Sequence, residues 1–304
     1  MAFSTLIIGY GSIGKRHTDI LNKMNEFSCI TVLTSQKGLP FKTITSLEDI
    51  PALNPDYLVV SSSTSQHYSQ LEFIEENLKG KIILMEKPLF EEYHEYEIKN
   101  NQVYVGYNLR FHPMVKKIRE FIFGKKLWII QVFCGSYLPD WRPERDYRET
   151  SSAKITSGGG VLLDLSHELN LVQWLAGSID VKHAVNENVS NLEIDSDDLL
   201  LFSGKTDGGS HVHISLNYFT RKPLRQIIIE GDGISIRGDI ITNTLSLVEN
   251  GMVSDYSWPD FERNETYLAQ HRAAIEDDLS TICTYEEGLE TMRLVESIRS
   301  FGKR

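Results

Sequence analysis

Apolar residues fall in short runs over the first third of this chain. Thr5 to Ile8 forms one run, followed by a helical pattern from Ile13 to Met24. Ile30 to Leu33 is β-branched and predicts a second strand, closed by the polar loop Ser35-Gln36-Lys37-Gly38. Tyr57 to Val60, Ile82 to Leu84 and Val103 to Val105 continue the series, with a helical stretch from His67 to Asn77 between the first two. Strands alternating with helices at this spacing predict right-handed βαβ units and a parallel sheet. Met114 to Phe123 reads as an amphipathic helix leaving that region.

The pattern then changes. Trp128 to Cys134 predicts a strand, and an aromatic and arginine-rich loop follows from Tyr137 to Arg148. Gly160 to Leu175 has helical periodicity: Leu162, Leu165, Leu169 and Val172 share one stripe, while Asp164 and His167 fall together on another. From Asp180 to Val253 short strands alternate with the turn signals Asp207-Gly208-Gly209, Gly231-Asp232-Gly233 and Asn250-Gly251, which predicts an antiparallel sheet. Glu265 to Thr281 and Glu286 to Phe301 close the chain as helices. The chain thus reads as α/β, with a parallel-sheet domain over residues 1–112 and an α+β domain over 113–304 whose last helix can pack back on the first.

Composition narrows the function classes. At 304 residues the chain is long enough for two cores, and 41% hydrophobic with 24% charged residues is ordinary for a globular protein. No apolar run approaches the roughly 18 residues that span a bilayer, and the first strand starts too early to leave room for a signal peptide. Cys29, Cys134 and Cys283 are far apart and suggest neither a disulfide framework nor a metal cluster. A cytoplasmic protein is expected. The net charge of −11 argues against nucleic acid, whose phosphates demand a basic face. His211 and His213 alternate on a predicted strand and read as structural.

Five features carry chemistry. Gly9-Tyr10-Gly11-Ser12-Ile13-Gly14 follows the first strand and opens the first helix, where backbone N–H groups can meet a pyrophosphate. The second strand ends in Thr34-Ser35-Gln36-Lys37 without the carboxylate that binds the ribose of NAD, so NADP is slightly favoured over NAD. Lys87 follows a strand and precedes Pro88, which places its ammonium at the carboxyl end of the sheet, where doubly wound folds bind ligands. Asp164 and His167 pair a carboxylate with a histidine, the usual general base. In the loop, Tyr137, Trp141, Arg142 and Arg148 offer rings for sugar faces and guanidinium forks for carboxylate or phosphate. A contact between subunits accounts for that loop equally well.

Together these residues resemble the Gfo/Idh/MocA oxidoreductases. The likeness runs through Gly9 to Gly14, Ser62 to His67, Glu86-Lys87-Pro88, Val105 to Phe111 and Gly158 to Leu175. It implies an N-terminal Rossmann sheet and a C-terminal α+β domain with a large open antiparallel sheet that builds homodimers or homotetramers. It implies a carbohydrate substrate, with Lys87 as the active-site lysine, His167 as the proton-transferring histidine and Asp164 as its neighbour. Ser12, Ile13, Ser62, Ser63, His67 and Glu86 would then stand at the cofactor, and Asn108 and Arg110 would line the pocket. Three departures from the family pattern stand out: Asp164 is three residues before His167 instead of four, Ser63 replaces a frequent proline, and Asn170 replaces an aspartate.

The leading reading is an NAD(P)-dependent dehydrogenase or reductase acting on a carbohydrate carbinol or keto carbon: sugar, sugar acid or nucleotide sugar. The alternatives are a non-catalytic cofactor-binding sensor, which would need neither Lys87 nor His167, and a redox-neutral enzyme with tightly held cofactor.

Overall fold

The computed structural model describes residues 2–301, and the chain divides into two compact units. The first runs to Phe111 and takes back Arg263–Leu289; the second comprises His112–Glu262 and the segment from Glu290.

In the first unit the chain order is β1 (Phe3–Ile8), α1 (Ser12–Leu21), β2 (Phe27–Leu33), β3 (Lys42–Ile44), α2 (Ile50–Leu53), β4 (Tyr57–Val60), α3 (His67–Asn77), β5 (Ile82–Met85) and β6 (Gln102–Val105). In the second come α4 (Pro113–Ile122), β7 (Leu127–Gly135), α5 (Val161–Asp164), α6 (His167–Ala176), β8 (Ile179–Glu187), β9 (Leu199–Thr206), β10 (His211–Asn217), β11 (Leu224–Gly231), β12 (Ile234–Asp239), β13 (Thr244–Glu249) and β14 (Met252–Ser257). Helix α7 (Arg263–Glu276) and strand β15 (Cys283–Thr284) return to the first unit, and α8 (Tyr285–Phe301) ends the described chain.

The first sheet has the order β15-β6-β5-β4-β1-β2-β3, all parallel except β15 against β6. Leu6, Ile7, Ile8 and the whole of β4 are fully buried. Such continuous apolar runs are what a sheet covered on both faces requires, and each buried side chain of this size stabilises the fold by about 1.5–3 kcal/mol. Register decides where the loops emerge. Ile8 pairs with Val60, Val60 with Met85 and Met85 with Val105. The next residues, Gly9, Ser61, Glu86 and Gly106, therefore leave along one edge. The β5–β6 crossover carries no helix; it is pinned by buried Glu75, which accepts from Lys99 N at 3.0 Å and Asn100 N at 3.1 Å.

The second sheet has the order β14-β13-β12-β11-β7-β10-β9-β8. Its strands from β8 to β14 pair with one another only antiparallel, as the turn signals predict, and the one parallel pair joins β10 to β7, which precedes that span. A parallel pair needs a long crossover, and here the segment holding α5 and α6 supplies it. The tight turns themselves stand as read: Asn250 and Gly251 both take positive φ, at 51° and 81°, as a two-residue hairpin demands. One face buries Ile130, Val132, Leu200, Phe202, Ile214 and Ile229. The other carries Phe133, Leu201 and Ile228 and is only partly covered in the single chain.

Candidate active site

The three glycines after β1 serve three separate physical needs. Gly9 has φ +89°, and a Cβ there would stand 2.7 Å from Ser62 Cα. At Gly14 a Cβ would meet the Gly9 carbonyl oxygen at 2.1 Å, so the turn can close on the helix only with glycine. Gly11 differs, because a Cβ there would meet nothing within 4 Å. That open space lies at the N-terminus of α1, whose cap makes no side-chain hydrogen bond and whose first turn holds no acidic residue. A helix N-terminus without a capping side chain, its favourable dipole and room for close approach fit a dinucleotide pyrophosphate. Ser12 and Ile13 begin that helix.

At the end of β4, Ser61 Oγ donates to the Ile8 and Gly9 carbonyls at 3.1 Å, bracing the glycine turn. Ser62 donates to Gln70 Oε1 at 2.6 Å, while Ser63 is exposed. His67, expected beside the cofactor, is buried, and its Nδ1 lies 3.1 and 3.2 Å from the carbonyls of Pro88 and Leu89. Burial holds its pKa below the usual histidine value, so a neutral ring donates Nδ1–H to those carbonyls. Its role is to hold the turn that follows Lys87. Lys87 is half-buried, its peptide bond to Pro88 is cis, and its backbone N–H donates to Glu86 Oε2 at 3.3 Å.

Beyond β2, Thr34 is buried, and its hydroxyl accepts from Gln36 N at 3.2 Å. Ser35 and Lys37 are exposed, and Lys37 has no ion-pair partner among the described residues. Asn108 and Arg110, expected on a pocket wall, also turn inward. Asn108 donates to Thr266 Oγ1 at 2.8 Å, and the Arg110 guanidinium, 2% exposed, bonds Glu287 at 2.7 Å and the Ile282 carbonyl at 3.4 Å. They tie the end of the parallel sheet to the returning C-terminal segment within the same unit.

In the second unit the single helix expected from Gly160 to Leu175 is broken at Leu165-Ser166. Asp164 ends α5 and His167 begins α6, so the shared helix face read from their spacing does not form. Asp164 instead accepts from the hydroxyl of fully buried Tyr218 at 2.7 Å, a partner some fifty residues away that no local pattern could show. His167 is half-buried at the first turn of α6. The glycines before α5 accommodate the chain itself. A Cβ on Gly159 would meet the Ser151 carbonyl at 2.2 Å, and one on Gly160 would meet Asp197 Oδ1 at 2.1 Å. Asp197, its pKa raised chiefly by burial, accepts from Leu162 N at 2.9 Å and so anchors the start of α5. Asn170, where the family has an aspartate, is buried and donates to Thr291 Oγ1 at 3.0 Å, tying α6 to α8.

The loop after β7 departs most from expectation. Arg148 binds Asp146 through Nε and Nη2 and Glu193 through Nη1, at 2.7–3.0 Å, so its charge is already matched. Those partners push its pKa up further. Trp141 donates to Ser136 Oγ at 2.7 Å and packs edge-on against Tyr218 with centroids 5.3 Å apart. Tyr137 lies under the guanidinium of exposed Arg221 at 3.6 Å, a residue outside the loop and absent from the sequence-based set. Arg142 is half-buried.

A parallel sheet in this strand order, with a glycine turn opening onto a helix N-terminus that no side chain caps, defines an NAD-binding Rossmann unit. Residues 3–102 match the family model of oxidoreductases with an NAD-binding Rossmann fold, and residues 115–237 match that of the GFO/IDH/MocA C-terminal domain. The chain belongs to the Gfo/Idh/MocA oxidoreductase family. No curated protein matches it significantly. Among solved structures it is similar to a levoglucosan dehydrogenase in complex with NADH, with TM-score 0.85, 14% identity, and 100% of this chain and 97% of the other covered. It is also similar to the WlbA dehydrogenase of Bordetella pertussis in complex with NADH and UDP-GlcNAcA, at TM-score 0.78, 16% identity and coverage of 100% and 97%. A third is the UDP-N-acetylglucosamine 3-dehydrogenase GnnA of Acidithiobacillus ferrooxidans, at TM-score 0.77, 16% identity and coverage of 99% and 97%. At these identities the likeness is one of fold. No described helix is long and apolar enough to cross a membrane.

Proposed function

We propose that this protein is an NAD(P)-dependent dehydrogenase or reductase acting on a carbohydrate carbinol or the corresponding keto carbon. The observation that carries the reading is in the first unit alone: the open space at Gly11 and the lysine after β5 emerge from the same edge of one sheet. When bound, nicotinamide supplies the hydride acceptor. His167 takes the hydroxyl proton of the substrate, and the Lys87 ammonium stabilises negative charge developing on that oxygen. In the reducing direction the same two groups return a proton to the keto oxygen. NADP is favoured over NAD, supported by exposed Ser35 and by Lys37, which has no ion-pair partner among the described residues.

The substrate class we favour is an anionic sugar, nucleotide sugars included. With Arg148 neutralised, support comes from Tyr137 beneath the Arg221 guanidinium and from the half-buried neighbours Trp141 and Arg142 in the loop. Two of the similar structures are named for nucleotide sugars. The partly covered face with Phe133, Leu201 and Ile228 supports a homodimer or homotetramer built on the second sheet, and three free cysteines suit the cytoplasm. The test is a thermal-shift screen of sugar acids and nucleotide sugars with saturating NADP⁺ or NAD⁺, followed by turnover of the hits, since selective binding stabilises the fold by mass action. Stabilisation by neither dinucleotide would overturn the reading.

A further inference from the structure

Four side chains from four separate segments of the first unit form one hydrogen-bonded line. Tyr57 lies on β4, His271 on α7, His17 on α1, and Glu86 just beyond β5. The Tyr57 hydroxyl is 2.8 Å from His271 Nδ1, His271 Nε2 is 2.9 Å from His17 Nδ1, and His17 Nε2 is 2.8 Å from Glu86 Oε1. All four residues are buried, both histidines completely. A Cβ at Gly106 would come within 2.8 Å of Glu86 Oε1, so the glycine at the end of β6 leaves the carboxylate its place.

The sense of each bond follows from chemistry. Burial keeps the Tyr57 phenol protonated, and its one hydrogen-bond partner among the described residues is His271. A buried hydroxyl hydrogen with no acceptor is costly, so Tyr57 donates and His271 Nδ1 accepts. Burial, with His17 adjacent, holds His271 in its neutral form, which places its hydrogen on Nε2. His17 Nδ1 accepts that hydrogen, and His17 Nε2–H then donates to the carboxylate, which can only accept. The other carboxylate oxygen, Glu86 Oε2, takes the backbone N–H of Lys87. Every link is satisfied in one direction, which makes the line a device for orientation.

Given the role assigned above to Lys87, we infer that His17 and His271 are positioning residues for it, acting through Glu86. Helix α7, some 180 residues later in sequence than Lys87, thereby belongs to the catalytic apparatus. None of the four is expected to touch substrate.

The test uses full-length protein with ¹⁵N-labelled histidine and a labelled backbone. Long-range ¹H–¹⁵N correlation should show His17 and His271 as neutral Nε2–H tautomers at neutral pH. In His271→Phe, amide exchange at Lys87 should quicken roughly fivefold to tenfold, the equivalent of one net hydrogen bond. Turnover should fall by a similar factor while KM and cofactor affinity stay within about twofold. His271→Gln, whose amide can both accept and donate, should recover most of the loss, and it also serves if the phenylalanine variant does not fold. Combining His271→Phe with Lys87→Met should cost no more than Lys87→Met alone. Nδ1–H tautomers, or an unchanged Lys87 amide in both His271 variants, would overturn the inference. If no variant turns over any sugar, the dehydrogenase reading has failed, while tautomer and exchange still report on the positioning role.

Discussion

The carboxyl edge of the parallel sheet and the loop after β7 both concentrate charged and aromatic residues, yet they deploy them in opposite ways. At the sheet edge the polar side chains are buried and committed: His67 to the Pro88 and Leu89 carbonyls, Arg110 to Glu287, and His17 to Glu86. Buried polar groups must find partners, so these side chains define one geometry around Lys87. In the loop, Arg148 is 49% exposed and satisfied by two carboxylates that water could replace at little cost. Clustered arginines in a sequence therefore say little about anion binding until their neighbours are known.

The largest effects should come from the two groups assigned to the chemistry. His167→Asn should lower turnover by about 10²–10⁴ with cofactor affinity unchanged, and Lys87→Met by about 10²–10³. Steady-state kinetics alongside fluorescence titration of the dinucleotide would check both. Arg110→Ala should act on stability instead, lowering it by about 2–3 kcal/mol in a urea titration through lost charged bonds and stem packing. A stable Arg110→Ala protein with weakened substrate affinity would return this residue to the pocket wall.

Acid provides a sharper version of the comparison. Burial lowers the pKa values of His67, His112 and His271 below that of the unfolded chain. Such groups favour the folded state above about pH 6.5, the unfolded value, and that contribution fades as pH falls towards the lower folded values. Stability should accordingly decline on acidification from about pH 6.5, and His271→Phe should make the decline shallower. At the second strand, Lys37→Glu should weaken NADP relative to NAD by roughly 10-fold or more, the scale of one charged hydrogen bond. Smallest of all, Arg148→Ala should leave KM within about twofold, because its charge is already matched on the surface. A tenfold rise would show that Arg148 exchanges its carboxylates for substrate.

How much of this was legible beforehand follows a physical line. The parallel sheet, the helix from His67 to Asn77 and the glycine turn were readable because their causes are local: continuous apolar runs, helical spacing, and glycines at a strand–helix junction. What could not be read depends on contacts distant in sequence. Tyr218 taking Asp164, Thr266 taking Asn108 and Asp197 filling the space beside Gly160 leave no periodic trace. The break at Leu165-Ser166 was missed because the apolar stripe runs straight through it. His17 had a faint signal, three residues past Gly14 on the buried side of α1, but its partners His271 and Glu86 appear only once the chain is folded.

The central claim is that the Gly9–Gly14 turn holds a nicotinamide dinucleotide while Lys87 serves the chemistry done with it. Its most direct test is to follow nicotinamide absorbance and dinucleotide affinity together in the unmodified protein and in Lys87→Met, across a panel of sugar acids and nucleotide sugars. The account predicts equal dinucleotide affinity in both proteins and an absorbance change only in the unmodified one. Near-full turnover by Lys87→Met on the substrate so found would contradict it.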